Sequence, residues 1–187
     1  QTYNRWSTPY HNDQSWQAGD IITQPDLAQT LEHIQINGRN GFYEGIVADQ
    51  IVAEMQRGNG LISHTDLKKY QSVWRKPITG NYRGHQIISM APPSSGGIAL
   101  IQLLRGTEGY PIADWGHNNL KTIHLMAELE RRVYADRATY LGDPDFIDVP
   151  IDQLLDSAYN QKRYIDISFD KATPSVLVSS GQIPPSE

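Results

Sequence analysis

The sequence predicts an α+β chain that is mostly helical and contains a single β-hairpin. Apolar residues recur with helical spacing in several separate segments, whereas β-branched and aromatic residues flank one turn at Arg83-Gly84. A two-stranded hairpin alone is only marginally stable in water. We therefore expect these strands to pair with strands from outside the chain, which makes the sequence one part of a larger fold.

The composition is that of a globular protein and excludes several classes of function. The 187 residues are enough for a hydrophobic core, and no apolar run reaches the length of a membrane span, about 18 residues. The formal net charge of −5 argues against nucleic acid or an anionic membrane as partner, because both select clustered Lys and Arg. The sequence has no cysteine, which excludes disulfides, thiolate metal sites and cysteine catalysis.

Helical spacing predicts two helices in the first third of the chain. Apolar residues fall at i, i+4 and i+7 from position 27, with Pro25 in the first turn and Gly38 as the stop, which predicts a helix over 25–37. A second helix is predicted over about 45–57. The polar and aromatic residues 1–18 show no period and are expected to form an arm that packs on another element.

A short helix and the hairpin follow. The segment SHTDLKKY predicts a short helix capped by Ser63 or Thr65, since a hydroxyl at that place can accept a bond from a free backbone N–H. The segment PITGNYRGHQIIS then predicts two strands that turn at Arg83-Gly84, and the second strand is expected to end at Met90.

The remaining pattern predicts three helices and a tail. A helix is expected over about 96–105 and a long one over about 118–141, which Gly142 and Pro144 end. The segment PIDQLLDSAYNQKRYIDI predicts one last helix. Residues 171–187 are rich in Pro, Ser and Gly and predict an extended, flexible tail. The residues expected to face inward on the long helix are Ile123, Met126, Leu129 and Val133.

The stretch SMAPPSSGGIAL, between the second strand and the next helix, has three interpretations. It lacks the Gly-x-Ser-x-Gly spacing of a nucleophile elbow and the Lys-Ser/Thr pair of a phosphate-binding loop. The favoured interpretation is structural: two prolines stiffen the chain, Ser94 or Ser95 caps the helix, and Gly96 and Gly97 allow close backbone approach. The alternatives are that the stretch lines a site or supplies a nucleophile.

Two polar groups on and after the long helix have both a structural and a chemical interpretation. His124 and Glu128 lie one turn apart, a spacing that can bind a metal, but no second such pair joins them, which favours a hydrogen-bonded or exposed histidine. A second group is expected to form ion pairs and caps at the helix end, with a catalytic carboxylate pair as the alternative. Its members are Asp136, Arg137, Asp143 and Asp145.

Several segments together resemble one family. The segments QPDLAQTLEHIQINGRNGFYEGIVADQIVAEMQ, GLISHTDLKKY, ITGNYRGHQIISMAPPSSGGIALIQLL and YADRATYLGDPDFIDVP resemble, in that order, the second half of the large subunit of γ-glutamyltranspeptidases. The resemblance covers residues 19–165, and the combination of YRG…PPSSGG with YADR…YLGDPDF is specific. Two departures are that Ala91 stands where a third proline is common and that Gly58-Asn59-Gly60 interrupts the usual paired glycines.

The resemblance implies an αββα N-terminal-nucleophile hydrolase fold, made as one precursor that cleaves itself before a threonine. That threonine becomes the first residue of a small subunit and attacks γ-glutamyl amides such as glutathione. Its own α-amino group acts as the base, and the acyl group passes to water or to an amino acid. The resemblance implies no metal or organic cofactor, and it implies an exported enzyme of the periplasm or cell exterior.

For this chain the resemblance implies a supporting role without a catalytic residue of its own. Residues 19–170 correspond to the C-terminal half of the large subunit and 171–187 to the tail before the processing site, with Glu187 at the processing boundary. The nucleophile is expected on the small subunit, and the arginine that grips the substrate carboxylate is expected on the N-terminal half of the large subunit. The chain's candidates for support at the edge of the site are Ser94, Ser95, Gly96 and Gly97.

Two alternatives stay open at this stage. The first is that the parent protein is another member of the same superfamily, a cephalosporin-acylase-like enzyme or a transpeptidase of capsule polyglutamate. This alternative stays open because the pocket residues that distinguish these enzymes are not on this chain. The second is that the chain belongs to a different functional class, as a helical scaffold or binding domain that has the outline of the family without its activity.

Overall fold

The computed structural model describes Tyr10 and residues 16–184, which form parts of two compact units, 1–73 and 74–187. Most of the predicted arm over 1–18 and the expected processing boundary at Glu187 lie outside the described residues. The domain boundaries predicted at 18 and 170 are not tested by any feature of the structure and stay predictions. Of the described residues, no helix is both long and apolar enough to cross a bilayer.

The first unit contains four helices, α1 (Pro25–Asn37), α2 (Asn40–Tyr43), α3 (Gly45–Arg57) and α4 (His64–Lys69). Gly38 follows α1 with a φ of 56°, so the predicted stop is confirmed. Of the two predicted caps, Ser63 is the one observed: its hydroxyl accepts from the N–H of Asp66, whose carboxylate accepts from the N–H of Ser63. The small core of this unit consists of Ala48, Val52 and Leu67.

The second unit begins with the predicted hairpin of β1 (Ile78–Tyr82) and β2 (His85–Ser89), which pair antiparallel with Tyr82 opposite His85. The two turn residues, Arg83 and Gly84, have φ angles of 47° and 83°. Positive φ at both central residues matches the right-handed twist of the strands, so the predicted turn position is confirmed. The second strand ends one residue before the predicted Met90.

Helix α5 (Gly96–Glu108) packs on the hairpin and is one turn longer than predicted, and α6 (Ile112–Trp115) follows it. Gly97 lies against the end of β2, where an added Cβ would collide with the carbonyl oxygen of Met90. The close approach predicted for this glycine is therefore confirmed. The buried core of this unit consists of Ile78, Ile98, Ile101, Val149 and Leu154.

Helix α7 (Leu120–Tyr140) buries a row that combines apolar and charged residues. Leu129 and Val133 face inward as predicted, but Ile123 is 54% exposed, and its predicted inward position is wrong. The buried face is centred on Leu125, and Ile123 lies two residues before it, on the opposite side of the helix. The charged members of the buried row are Glu128, Arg132 and Asp136.

Glu128 is fully buried and is held by cations and a backbone donor. Its carboxylate accepts from Arg131, from Arg132 at 2.8 Å and from the N–H of Thr173 at 2.8 Å. Burial alone would raise the pKa of Glu128, but the bonds from Thr173 and the two arginines outweigh it and lower this pKa to about 2. Glu128 is therefore a charged anchor between α7 and the segment that follows residue 170.

The segment predicted as one last helix forms two, α8 (Ile151–Leu154) and α9 (Ser157–Tyr164). The break occurs because Asp156 caps α9, with its carboxylate accepting from the N–H of Tyr159 at 2.8 Å. The described part of the tail has one 3₁₀ turn, Ser175–Leu177. The predicted α+β class is confirmed: about half of the described residues are helical, and the described residues contain one hairpin.

Replacing Gly97 by alanine is expected to lower the free energy of unfolding by about 3 kcal/mol, because the new methyl group overlaps a backbone oxygen that cannot rotate away. Gly109→Ala is the matched control, since a Cβ there meets nothing within 4 Å. Urea unfolding of both variants measures the difference. Equal stability of the two variants would contradict the close packing of β2 on α5.

Glu128→Gln is expected to lower the free energy of unfolding by about 3 kcal/mol at pH 7, because the buried Arg132 then keeps only the exposed Asp166 as a charged partner. The folded pKa of Glu128 lies below the unfolded one. Its stabilisation is therefore complete above about pH 4.5 and is lost as the pH falls towards 2. Urea unfolding across this pH range should show the difference from wild type shrinking.

The control for this series is Glu130→Gln, which changes an exposed carboxylate of the same helix and should alter stability by less than about 0.5 kcal/mol. A Glu128→Gln difference that stays constant from pH 7 to pH 2 would contradict the lowered pKa.

Candidate functional site

The turn between β2 and α5 is the part of the chain that the sequence singles out. The Pro92–Pro93 peptide bond in this turn is cis, and Ser94 and Ser95 after it are half-buried. The hydroxyl of Ser94 accepts from the N–H of Gly96 at 3.2 Å. Ser95 occupies the N-cap position of α5, yet its hydroxyl makes no capping bond. Ser94 is therefore the serine whose side chain bonds the start of the helix.

The partner of Ser95 decides what this hydroxyl can do. Its oxygen accepts a hydrogen bond from the Nε of Arg137, on α7, at 2.9 Å. A guanidinium stays protonated in proteins and cannot accept a proton from a hydroxyl. Activation of a serine requires an adjacent base, so the bond from Arg137 makes Ser95 a structural contact between α5 and α7. This geometry supports the structural interpretation of the stretch.

The candidate metal pair has structural partners. The Nε2 of His124 lies 2.7 Å from the carbonyl oxygen of Ser168, and Glu128 binds the two arginines and Thr173. The predicted hydrogen-bonded histidine is confirmed. Within the part of the chain that the structure describes, no group of three His, Asp or Glu side chains is arranged to hold a metal.

The four polar residues expected to form one network at the end of α7 belong to separate clusters. Asp143 caps the N–H of Asp145 at 3.0 Å, and Asp145 pairs with Arg75 at 2.6 Å, which lowers the pKa of Asp145. Arg137 bonds Ser95 instead of a carboxylate. Asp136, the only fully buried member of the four, has partners that its sequence neighbourhood does not reveal.

Asp136 is surrounded by groups from α9 and the tail. Its carboxylate accepts from the hydroxyl of Tyr159 at 2.9 Å and from the N–H of Gly181 at 2.8 Å, and it pairs with Arg163 at 3.0 Å. Burial, together with the bond to Asp136, raises the pKa of Tyr159, which keeps its hydroxyl protonated as a donor. With all these bonds made, Asp136 is a structural anchor and does not form a catalytic carboxylate pair.

Tyr159, Arg163 and Gly181 are the partners that sequence reasoning misses here. They lie between 23 and 45 positions after Asp136, so helical or strand spacing contains no signal of their contact. The one available sequence signal is that an acidic residue on the inner face of a helix is followed, later in the chain, by a run of basic and aromatic residues. That signal indicates a buried partner without identifying it.

The comparisons with known proteins agree over nearly the whole chain. The Gamma-glutamyltranspeptidase family profile matches residues 2–186. The glutathione hydrolase proenzyme of Escherichia coli (strain K12) is 44% identical over 169 residues, which are 90% of this chain and 29% of that protein. The acylase ACY 1 proenzyme of Pseudomonas sp. (strain SE83) is 37% identical over 83% of this chain and 28% of that protein.

A solved structure gives the same result at the level of the fold. The crystal structure of Helicobacter pylori γ-glutamyltranspeptidase superposes with a TM-score of 0.76 and 45% identity, covering 88% of this chain and 47% of that one. The predicted membership of the N-terminal-nucleophile hydrolase fold is thereby confirmed. The chain spans less than a third of the length of the curated relatives named above. It belongs to the γ-glutamyltranspeptidase family.

Proposed function

We propose that the chain is the C-terminal half of the large subunit of a γ-glutamyltranspeptidase. The full protein would cleave γ-glutamyl amides such as glutathione and pass the γ-glutamyl group to water, an amino acid or a peptide. The observation that carries this proposal is the family match over residues 2–186, joined to 44% identity with a glutathione hydrolase proenzyme. The proposed location is the periplasm or the cell exterior.

The proposed reaction places the chemistry on a partner chain. A threonine at the start of the small subunit attacks the γ-carbonyl carbon, its α-amino group takes the hydroxyl proton, and that proton passes to the leaving amine. Water or an acceptor amine then attacks the resulting ester and frees the threonine. The N-terminal half of the large subunit would supply the arginine for the substrate carboxylate.

The geometry of this chain supports such a division of roles. The hydroxyl of Ser95 is bonded by a guanidinium, and that of Ser94 accepts from a backbone N–H. Both contacts stabilise the turn that connects β2 to α5, and neither provides a base. We propose that this turn, through Gly96 and Gly97, supports the edge of a site whose reacting groups lie elsewhere.

The full-length protein is expected to separate into two polypeptides, of which the second begins with threonine, and to release the amine from a γ-glutamyl anilide. Intact-mass spectrometry and the colorimetric release of the anilide measure these two results. A single uncleaved polypeptide without turnover would contradict the proposal and favour the scaffold alternative. A cleaved protein that spares the γ-glutamyl donor but hydrolyses an acylated β-lactam would indicate an acylase instead.

The double variant Ser94→Ala/Ser95→Ala of the full-length protein is expected to retain kcat/KM for the γ-glutamyl donor within about thirtyfold, because it loses two bonds worth about 1 kcal/mol each and no reacting group. Replacement of the small subunit's first threonine by alanine is the control and should abolish turnover. Loss of acyl-enzyme formation in Ser94→Ala or Ser95→Ala alone would show that a serine is the nucleophile.

A further inference from the structure

The tail is bonded to the larger unit at successive points, although its composition predicts flexibility. The N–H of Thr173 donates to Glu128 at 2.8 Å, and the carbonyl oxygen of Ser179 accepts from Arg163 at 2.8 Å. Two residues later, the N–H of Gly181 donates to Asp136 and its carbonyl oxygen accepts from the hydroxyl of Tyr140. The chain from 173 to 181 is therefore held along α7 and α9.

The last of these points is the most specific. Asp136, Tyr140 and Arg163, which we call the Gly181 clamp, bond both the N–H and the carbonyl oxygen of one buried glycine and the backbone just before it. An added Cβ at Gly181 would collide with the hydroxyl of Tyr159 and with Cδ of Arg163. The clamp therefore accepts the backbone of a glycine and fixes its position along the helix.

We propose that the Gly181 clamp positions the tail for self-cleavage, so that Asp136, Tyr140 and Arg163 are positioning residues for maturation and not for turnover. The inference rests on the proposed function, in which water adds across the peptide bond before the threonine. That step leaves a carboxylate on the large subunit and a free α-amino group on the small one. Among the described residues, Gly181 is the last of the tail whose backbone is hydrogen-bonded before the expected junction.

Chain length gives the size of the effect. From Gly181 to the expected boundary at Glu187 there are six residues, which reach at most about 20 Å. Without the clamp, the nearest remaining hydrogen-bonded anchor is Thr173, fourteen residues from the boundary, and between the two only the apolar contact of Ile183 with the core holds the tail. The local concentration of a tethered group falls with about the 3/2 power of tether length, so complete release of the tail beyond Thr173 slows self-cleavage by up to about fourfold. Loss of orientation at the junction adds to this factor.

Tyr140→Phe is the mildest test, because it removes one hydroxyl and keeps the ring. In the full-length precursor made by cell-free translation, we expect conversion into two chains to slow by about two- to fourfold, since the bonds from Asp136 and Arg163 remain and complete loss of the clamp sets the upper end. Gly181→Ala tests the clamp from the tail side and should slow conversion at least as much. Tyr134→Phe is the matched control, since Tyr134 is an exposed residue of the same helix.

The readouts separate positioning from a general loss of structure. Once cleaved, the Tyr140→Phe protein should show a Tm and a kcat close to those of wild type, while the Gly181 amide exchanges its hydrogen faster. If Gly181→Ala fails to fold, Tyr140→Phe alone decides. Slow conversion together with an equally lowered Tm and kcat in Tyr140→Phe would show a merely structural role and overturn the inference.

The experiment distinguishes failure of the proposed function from failure of the proposed role of the Gly181 clamp. A wild-type precursor that never cleaves contradicts the proposed function and, with it, the clamp's role. A wild-type precursor that cleaves while Tyr140→Phe cleaves at the same rate overturns only the inference.

Discussion

Two carboxylates buried on one helix determine how the larger unit is arranged. Glu128 and Asp136 lie on the inner face of α7, where an unpaired charge would cost several kcal/mol. Each is compensated from both sides: by arginines, and by a backbone N–H of the tail. Because neither carboxylate can be buried without these partners, α9 and residues 173–181 must pack against α7 before the core is complete.

Local patterns are sufficient for the elements whose cause is local. The hairpin turn at Arg83-Gly84, the stop at Gly38 and the cap at Ser63 depend on residues within a few positions of each other, and the structure confirms all three. The close approach at Gly97 is also predictable, because paired glycines between a strand and a helix are typical of tight backbone packing. The resemblance to the family is likewise visible in the sequence because it depends on short, contiguous motifs.

The errors arise where a long-range partner decides the structure. Apolar spacing places Ile123 on the inner face, while the charged Glu128, Arg132 and Asp136 occupy that face because each has a buried partner. The composition of the tail predicts freedom, but composition does not report the backbone N–H and C=O groups that make its bonds. Spacing within α7 likewise contains no information about Arg163 or Gly181.

The anchors of the tail also imply an order of folding. Gly181 bonds a carboxylate 45 positions earlier in the chain, and Thr173 bonds another at the same separation. Closing so long a loop costs conformational entropy, and the hydrogen bonds that offset this cost form only when both ends of the loop are in place. The tail therefore docks late, after α7 and α9 have come together. A ribosome releases residue 181 well after residue 136, so the chain emerges in the order in which these contacts can form.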